Sequence, residues 1–238
     1  LDIGRIQIRI SNRKILLGLV SALGISYAVA VTRAVDKIEK IGANAVADTL
    51  KSELGLDTTA IDQILNLVST RGGRSVLANI TPMGDTMAEG LRELDTVMSQ
   101  LVGIDEGGAI VDLSIVRGLD YYTGTVYETA LLDIPEFTGS VCSGGRYDDL
   151  AGNYIAKHLP GVGISIGFTR LFDVLSHYGH IKPGRKSLTD VLVAVPSEER
   201  RMLAMETAAQ LRARGMNVEV YHGKKKVGKQ IEYANKKQ

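Results

Sequence analysis

From Ser26 to about Leu101 apolar side chains recur at helical spacing, and after Gly107-Gly108 they switch to strict alternation. Val35, Ile38 and Ile41 precede Gly42, and Val46 and Leu50 precede Gly55. Ile61, Ile64, Leu65 and Val68 then follow a cap at Asp57. A last long helix is expected at about Asp85 to Leu101. Before this stretch, Ile6, Ile8 and Ile10 alternate as a strand, and Ser11-Asn12 caps a helix carrying Ile15, Leu16, Leu19 and Leu23. After it, strands are expected at Ile110–Ile115, Thr125–Leu132 and Val162–Phe168, joined by loops too short for crossover helices, which predicts antiparallel pairing. His180 to Thr189, with Pro183 and Gly184, reads as a linker. Beyond it Val191–Val195, a helix from Ser197 through Leu211, and Val218–Tyr221 make the start of a βαβ unit, and a short helix follows at about Val227–Asn235.

A chain of 238 residues with 45% hydrophobic and 23% charged residues is expected to bury a sizeable core and to stay in water. Its net charge of +1 gives no global attraction for nucleic acid, but His222 to Gln238 holds six lysines against Glu232 alone. A solvated face accounts for that run as readily as a binding surface. The one cysteine, Cys142, excludes an internal disulfide, suits a reducing compartment, and reads as a small apolar filler. No apolar run approaches the roughly 20 residues of a membrane span, and no signal-peptide pattern opens the chain. Opening on Leu1 and entering a strand at once, the sequence reads as cut from something longer.

Three segments concentrate polar, glycine and aromatic residues. In Arg117-Gly-Leu-Asp-Tyr-Tyr-Thr-Gly124 the arginine offers a planar fork for a carboxylate or phosphate, and Tyr121 and Tyr122 offer flat faces with hydroxyls. A surface arginine beside two structural tyrosines fits equally well. In Ser143-Gly-Gly-Arg-Tyr-Asp-Asp149, Gly144 and Gly145 allow close backbone approach and Arg146 adds a cation, although a plain loop explains them too. In Gly161 to Arg170, glycines at 161, 163 and 167 clear space along a strand where a flat base can lie. Arg170 then stands at a helix start, where the dipole prefers anions, so a bound triphosphate would account for it. No Walker or Rossmann glycine pattern is present.

The first segment, with Tyr127-Glu128, resembles the first histidine-specific signature of the histidyl-tRNA synthetases. Ser143-Gly-Gly-Arg-Tyr-Asp148 resembles the second, and Gly161 to Arg170 resembles motif 3 of class II synthetases. The likeness extends to Arg9-Ile-Ser-Asn-Arg-Lys14, to Val35-Asp-Lys-Ile-Glu-Lys40 and to the region after Asp190. It implies an α+β fold: the antiparallel sheet of a class II catalytic core (1–25 and 107–180) with a helical insertion (26–106), a linker (181–189) and the start of an α/β anticodon-binding domain (190–238). It implies that Arg117 meets the histidine carboxylate and the charge developing in adenylate formation, and that Tyr121 and Tyr122 line the imidazole pocket. Arg170 would clamp the γ-phosphate over a nucleotide floor of Gly161, Gly163 and Gly167. Tyr127, Glu128, Gly144, Gly145 and Arg146 would support the site, and Lys224, Lys225 and Lys226 would touch tRNA. Histidine, ATP and tRNA(His) are the implied substrates, with Mg²⁺ on the phosphates and Glu128 as its candidate ligand. A homodimer, a cytoplasmic location and no membrane contact are implied as well.

The family's motif 1, which builds the dimer interface, and its motif 2 arginine for the α-phosphate are not in this sequence. The family's acidic readers of the imidazole nitrogens are missing with them. The alternative is a catalytically silent relative, such as the regulatory subunit of ATP phosphoribosyltransferase or the synthetase-like domain of a translation-control kinase, against which the Arg117-Tyr121-Tyr122 group and the βαβ segment argue. Either way, the chain alone is expected to support no appreciable histidine-dependent exchange of pyrophosphate into ATP, and robust exchange would overturn that expectation.

Overall fold

Strand β1 (Ile6–Asn12) runs directly into helix α1 (Arg13–Ala22), and Asn12 makes the join. Its extended backbone places the side-chain oxygen to accept the Lys14 amide at 3.0 Å, satisfying one of the unpaired donors of the first turn. The computed structural model describes residues 3–104, 107–116, 121–150, 152, 158–182 and 184–237, so Arg117 and Pro183 lie outside the described residues. The chain falls into two units, residues 1–180 and 181–238.

The helical stretch contains α2 (Ala28–Val35), α3 (Ile38–Ser52), α4 (Thr58–Val68) and α5 (Asp85–Gln100). Asp57 caps α4 by accepting the Ala60 amide at 2.8 Å. Strand β2 (Arg71–Gly72) and a 3-10 turn (Arg74–Asn79) interrupt the series, which periodicity did not anticipate. Strands β3 (Ala109–Asp112), β4 (Thr125–Leu131), β5 (Cys142–Tyr147) and β6 (Gly161–Ile166) follow, then α6 (Phe168–His177).

The six strands lie in the order β2-β3-β1-β4-β5-β6. All neighbours are antiparallel except β1 and β3, which run parallel with Ile10 opposite Val111. The expected antiparallel pairing holds for four of the five neighbouring pairs and is corrected for β1 and β3. Parallel neighbours need a long crossover, and the helical stretch is that crossover. A second correction concerns Ser143-Gly-Gly-Arg, which forms the middle of strand β5 and not a loop. Its glycines are what let β4, β5 and β6 close up: a Cβ on Gly144 would stand 2.8 Å from the Tyr127 ring, and one on Gly145 would stand 2.9 Å from the Thr125 carbonyl oxygen.

Helices α1 and α5 cross closely against the back of the sheet. A Cβ on Gly18 would stand 2.7 Å from the Met87 Cα, and one on Gly90 would stand 2.9 Å from the Ile15 amide nitrogen. Around that crossing Val20, Val31, Val35, Val46, Leu50, Ile64, Leu94 and Val111 are buried in one core. Each such side chain contributes about 1.5–3 kcal/mol. On the other face Arg9 of β1 is buried with Asp112 of β3, Nε to Oδ2 at 2.7 Å. Arg9 also donates to Glu39 of α3, and Arg71 of β2 stands 3.3 Å from Asp112. The Ser114 hydroxyl and amide both donate to Asp112 Oδ1, which completes that carboxylate's partners. Burial alone would pull the Arg9 guanidinium down, but Glu39 and Asp112 hold it above its ordinary range. Strand β6 has a partner on one side only among the described residues, and Val162, Ile164 and Ile166 on it are 60–65% exposed.

In residues 181–238, β7 (Val191–Val193) and β8 (Val218–Val220) pair in parallel, joined by a 3-10 turn (Glu198–Arg200) and α7 (Arg201–Ala213). Ser197 precedes that turn without making a side-chain cap bond, so α7 starts later than its sequence suggested. Helix α8 (Val227–Lys237) follows, and its buried Gln230 exchanges two hydrogen bonds with the Val195 backbone.

At the α1–α5 crossing, overpacking of about 1–3 kcal/mol outweighs the gain of about 1 kcal/mol that alanine brings to a helix. Gly18→Ala is therefore expected to lower the urea midpoint, and an unchanged or raised midpoint would refute the close crossing.

Candidate active site

Alternation along paired strands decides which side chains share a face. Glu128 of β4 stands opposite Arg9 of β1 and Ser143 of β5, and Ser143 stands opposite Ser165 of β6. Val126, Glu128, Ser143 and Ser165 form the floor of an open cavity of about 1160 Å³. Tyr121 and Tyr122 enter from one rim and Arg170 from the other, while α2 and the start of α3 supply an outer wall through Arg33, Asp36, Lys37, Glu39 and Lys40. With Arg13, five cations line the space against three carboxylates, so the cavity favours anions. A smaller recess of about 390 Å³ at the start of α6 shares Ser140, Ser143, Ser165 and Arg170 with it.

The tyrosine rings form a cluster. Tyr121 and Tyr122 have centroids 4.7 Å apart at 60°, and Tyr147 meets Tyr121 edge-on at 6.2 Å. Burial, then the neighbouring Tyr121, pushes the Tyr122 hydroxyl up to about 12. Tyr147 was not singled out from the sequence, although alternation along β5 places it on the same face as Ser143 and Gly145. Asp36, Lys37, Glu39 and Lys40 fall in the stretch 35–40 that carries the family likeness, but their place at the cavity was missed with that of Arg33, because a helical period marks the buried stripe and is silent about which exposed residues border a cavity.

Arg170 lies in the first turn of α6, where its Nη1 donates to the Ser140 carbonyl oxygen at 2.9 Å. That acceptor offsets the unfavourable dipole position without any ligand. Gly167 is the residue before α6, and its amide donates to the Val141 carbonyl at 2.9 Å. The clear strip expected over Gly161 and Gly163 is filled by the protein's own ring. Tyr147 lies 2.7 Å from where a Cβ on Gly161 would stand, and 3.5 Å in the case of Gly163. Glu128 lies on the floor of the cavity. Tyr127 and Arg146 point to the opposite face, because they alternate with Glu128 and Gly145 along their strands. The Tyr127 hydroxyl donates to the Gly163 carbonyl at 2.9 Å, and Arg146 pairs with Asp148 at 2.9 Å and Glu93 at 3.5 Å. Gly144 and Gly145 act by their lack of side chains, as spacers between strands.

Lys224, Lys225 and Lys226 are exposed between β8 and α8 in the second unit. Of the other lysines there, Lys229 pairs with Glu232 and Lys237 with Glu219. Among the described residues no group of three or more His, Cys, Asp or Glu side chains is placed to hold a metal ion, and no helix is long and apolar enough to cross a membrane.

An antiparallel-dominated sheet with an anion-favouring cavity, aromatic on one rim and bordered by a helical insertion, places the chain with the α+β class II synthetase fold, and the comparisons agree. The family model for histidyl-tRNA synthetase matches residues 1–171. A histidine–tRNA ligase of Thermobifida fusca is 49% identical over 241 residues, covering 100% of this chain and 55% of that protein. One from Xanthomonas campestris is 44% identical over 248 residues, covering 98% and 52%. A solved histidyl-tRNA synthetase from Nostoc sp. superposes with a TM-score of 0.73 at 36% identity, over 99% of this chain and 57% of that one. The chain belongs to the histidyl-tRNA synthetase family, and it spans about half the length of the curated relatives it matches. A structure from Bacillus halodurans described as an ATP phosphoribosyltransferase regulatory subunit/histidyl-tRNA synthetase has a TM-score of 0.60 at 23% identity, a likeness of fold alone.

Because the folded state holds Tyr122 neutral past the ordinary tyrosine range, the stability it contributes is complete below pH 10 and is lost as pH rises toward 12. Near-ultraviolet titration should show late tyrosinate ionisation from Tyr122 and from Tyr127, which burial also raises, with a late step near 12 that Tyr122→Phe removes. A titration in which that variant leaves the late step in place would refute the assignment.

Proposed function

We propose that this chain supplies the histidine- and ATP-binding part of a histidine–tRNA ligase. The observation that carries the reading is that Tyr121, Tyr122 and Arg170 line one cavity, as an amino-acid ring and a nucleotide phosphate would require. The tyrosine cluster, with Tyr147 as its third ring, would hold the imidazole. Arg117, in the matched signature but outside the described residues, would take the histidine carboxylate. Arg170 would meet the γ-phosphate in the recess at the start of α6, and the nucleotide would lie nearer Ser165 and Gly167 than Gly161, whose face Tyr147 occupies.

The chemistry suits these parts. A histidine carboxylate oxygen attacks the α-phosphorus of ATP and pyrophosphate leaves; the terminal ribose hydroxyl of tRNA(His) then attacks the histidyl carbonyl of the adenylate, losing its proton as AMP leaves. Neither step needs a protein nucleophile, so positioning and charge stabilisation do the work. Mg²⁺ would neutralise the phosphates, which supply most of its ligands, and Glu128 is the one floor carboxylate able to add another. Lys224, Lys225 and Lys226 would track the tRNA backbone. A homodimer acting in the cytoplasm completes the proposal.

Thermal-shift titration of the chain with histidine and ATP tests this. Both ligands should raise the unfolding temperature, and Arg170→Ala should weaken the ATP response by roughly tenfold or more, the worth of a hydrogen bond to a charged group, while leaving the histidine response intact. If neither ligand shifts the native chain, the assignment fails.

A further inference from the structure

The outer wall of the cavity turns a corner between α2 and α3. Before the corner Val31, Ala34 and Val35 are buried in the core, and after it Val46 and Leu50 are. Of residues 36–41 between them none is fully buried, and only Ile38 packs its side chain, half-buried, against that core. The helix is broken immediately afterwards at Gly42, whose φ of 83° and ψ of 162° interrupt α3. A left-handed φ of this kind suits glycine, and it separates the corner from the packed part of α3. Yet this loosely packed corner carries Lys37 and Lys40, which line the cavity and have no ion-pair partner among the described residues.

Glu39 ties the corner down. Its carboxylate accepts from Arg9, whose side chain is 8% exposed and is itself fixed by Asp112, 2% exposed, on the neighbouring strand. An exposed ion pair holds little, because two long side chains must be ordered in water. This one has one partner already immobilised in the sheet, so only Glu39 pays ordering entropy. We infer that Arg9 and Glu39 form a latch that sets the 36–41 corner over the cavity floor, making Glu39 a positioning residue that presents Lys37 and Lys40 to an anionic ligand. With the nucleotide reading proposed above, on which this part rests, that ligand is the polyphosphate of ATP.

Arg9 is a poor test, since removing it strands the Asp112 carboxylate in the interior and endangers the fold. Glu39→Gln is the better variant, with amide hydrogen exchange as the ligand-free readout. Exchange over 36–41 should rise about two- to tenfold in Glu39→Gln while α4 and the unfolding temperature stay unchanged, as for the loss of one local tie. Glu39→Asp should restore part of the protection. ATP affinity should fall by about two- to tenfold in Glu39→Gln with histidine affinity unchanged, a split that a merely structural role would not produce. Lys37→Ala/Lys40→Ala should weaken ATP binding without raising exchange. Unchanged exchange over 36–41 in Glu39→Gln would overturn the latch, and equal loss of ATP and histidine affinity would overturn the positioning role. If the unsubstituted chain binds no ATP, the nucleotide reading fails, and the exchange measurement still decides the latch.

Discussion

Strand β1 carries hydrogen-bond ladders on both edges, parallel to β3 and antiparallel to β4, and that doubly fixed register decides the task of every residue on the sheet. A shift of one residue would exchange the two faces, sending Ile8 and Ile10 toward water and Arg9 into the apolar core. In the observed register Ile10 joins the core beneath α1 and α5, while Arg9 and Ser11 turn the other way. Glu128, Ser143 and Ser165 inherit their orientation strand by strand from that choice. The close approach of α1 and α5, made possible by two glycines, holds the apolar face shut and so keeps the polar face available for a ligand.

The sequence made some of this plain. Helix caps at Asn12 and Asp57 were legible because a short polar side chain before an apolar stripe has one good use, and the structure realises both bonds. The parallel pairing of β1 with β3 was hidden, because the two strands are some hundred residues apart and nothing local records which neighbour a strand will choose. Strand β5 was hidden for a different reason. Two consecutive glycines argue for a turn on propensity alone, and only the packing of the Tyr127 ring and the β6 backbone against them shows why a strand needs them there.

The site was legible in its residue types more than in their directions. Tyr121, Tyr122, Glu128 and Arg170 border one cavity, but Arg146 and Tyr127, chosen for chemistry without regard to alternation, stand behind the sheet. Arg170 illustrates how a helix-start cation can be satisfied by a carbonyl oxygen of its own chain, so its position alone does not call for a ligand. The stretch 35–40 in the wall formed by α2 and α3 was legible as part of a likeness but not as a cavity border, because its side chains reach the sheet only through a crossover that the sequence does not reveal. Gathering five cations around one space is costly, and the three carboxylates among them lower that cost while leaving a net attraction for anions.

Strand β6 combines a backbone edge with no neighbour among the described residues and a row of water-facing Val162, Ile164 and Ile166, continued by Phe168. Neither charge nor proline interrupts the strand, the two devices by which sheet margins commonly discourage strangers. Among the described residues, then, the surface left open to a further strand is a matter of six residues of backbone and not of the chain's near-neutral charge.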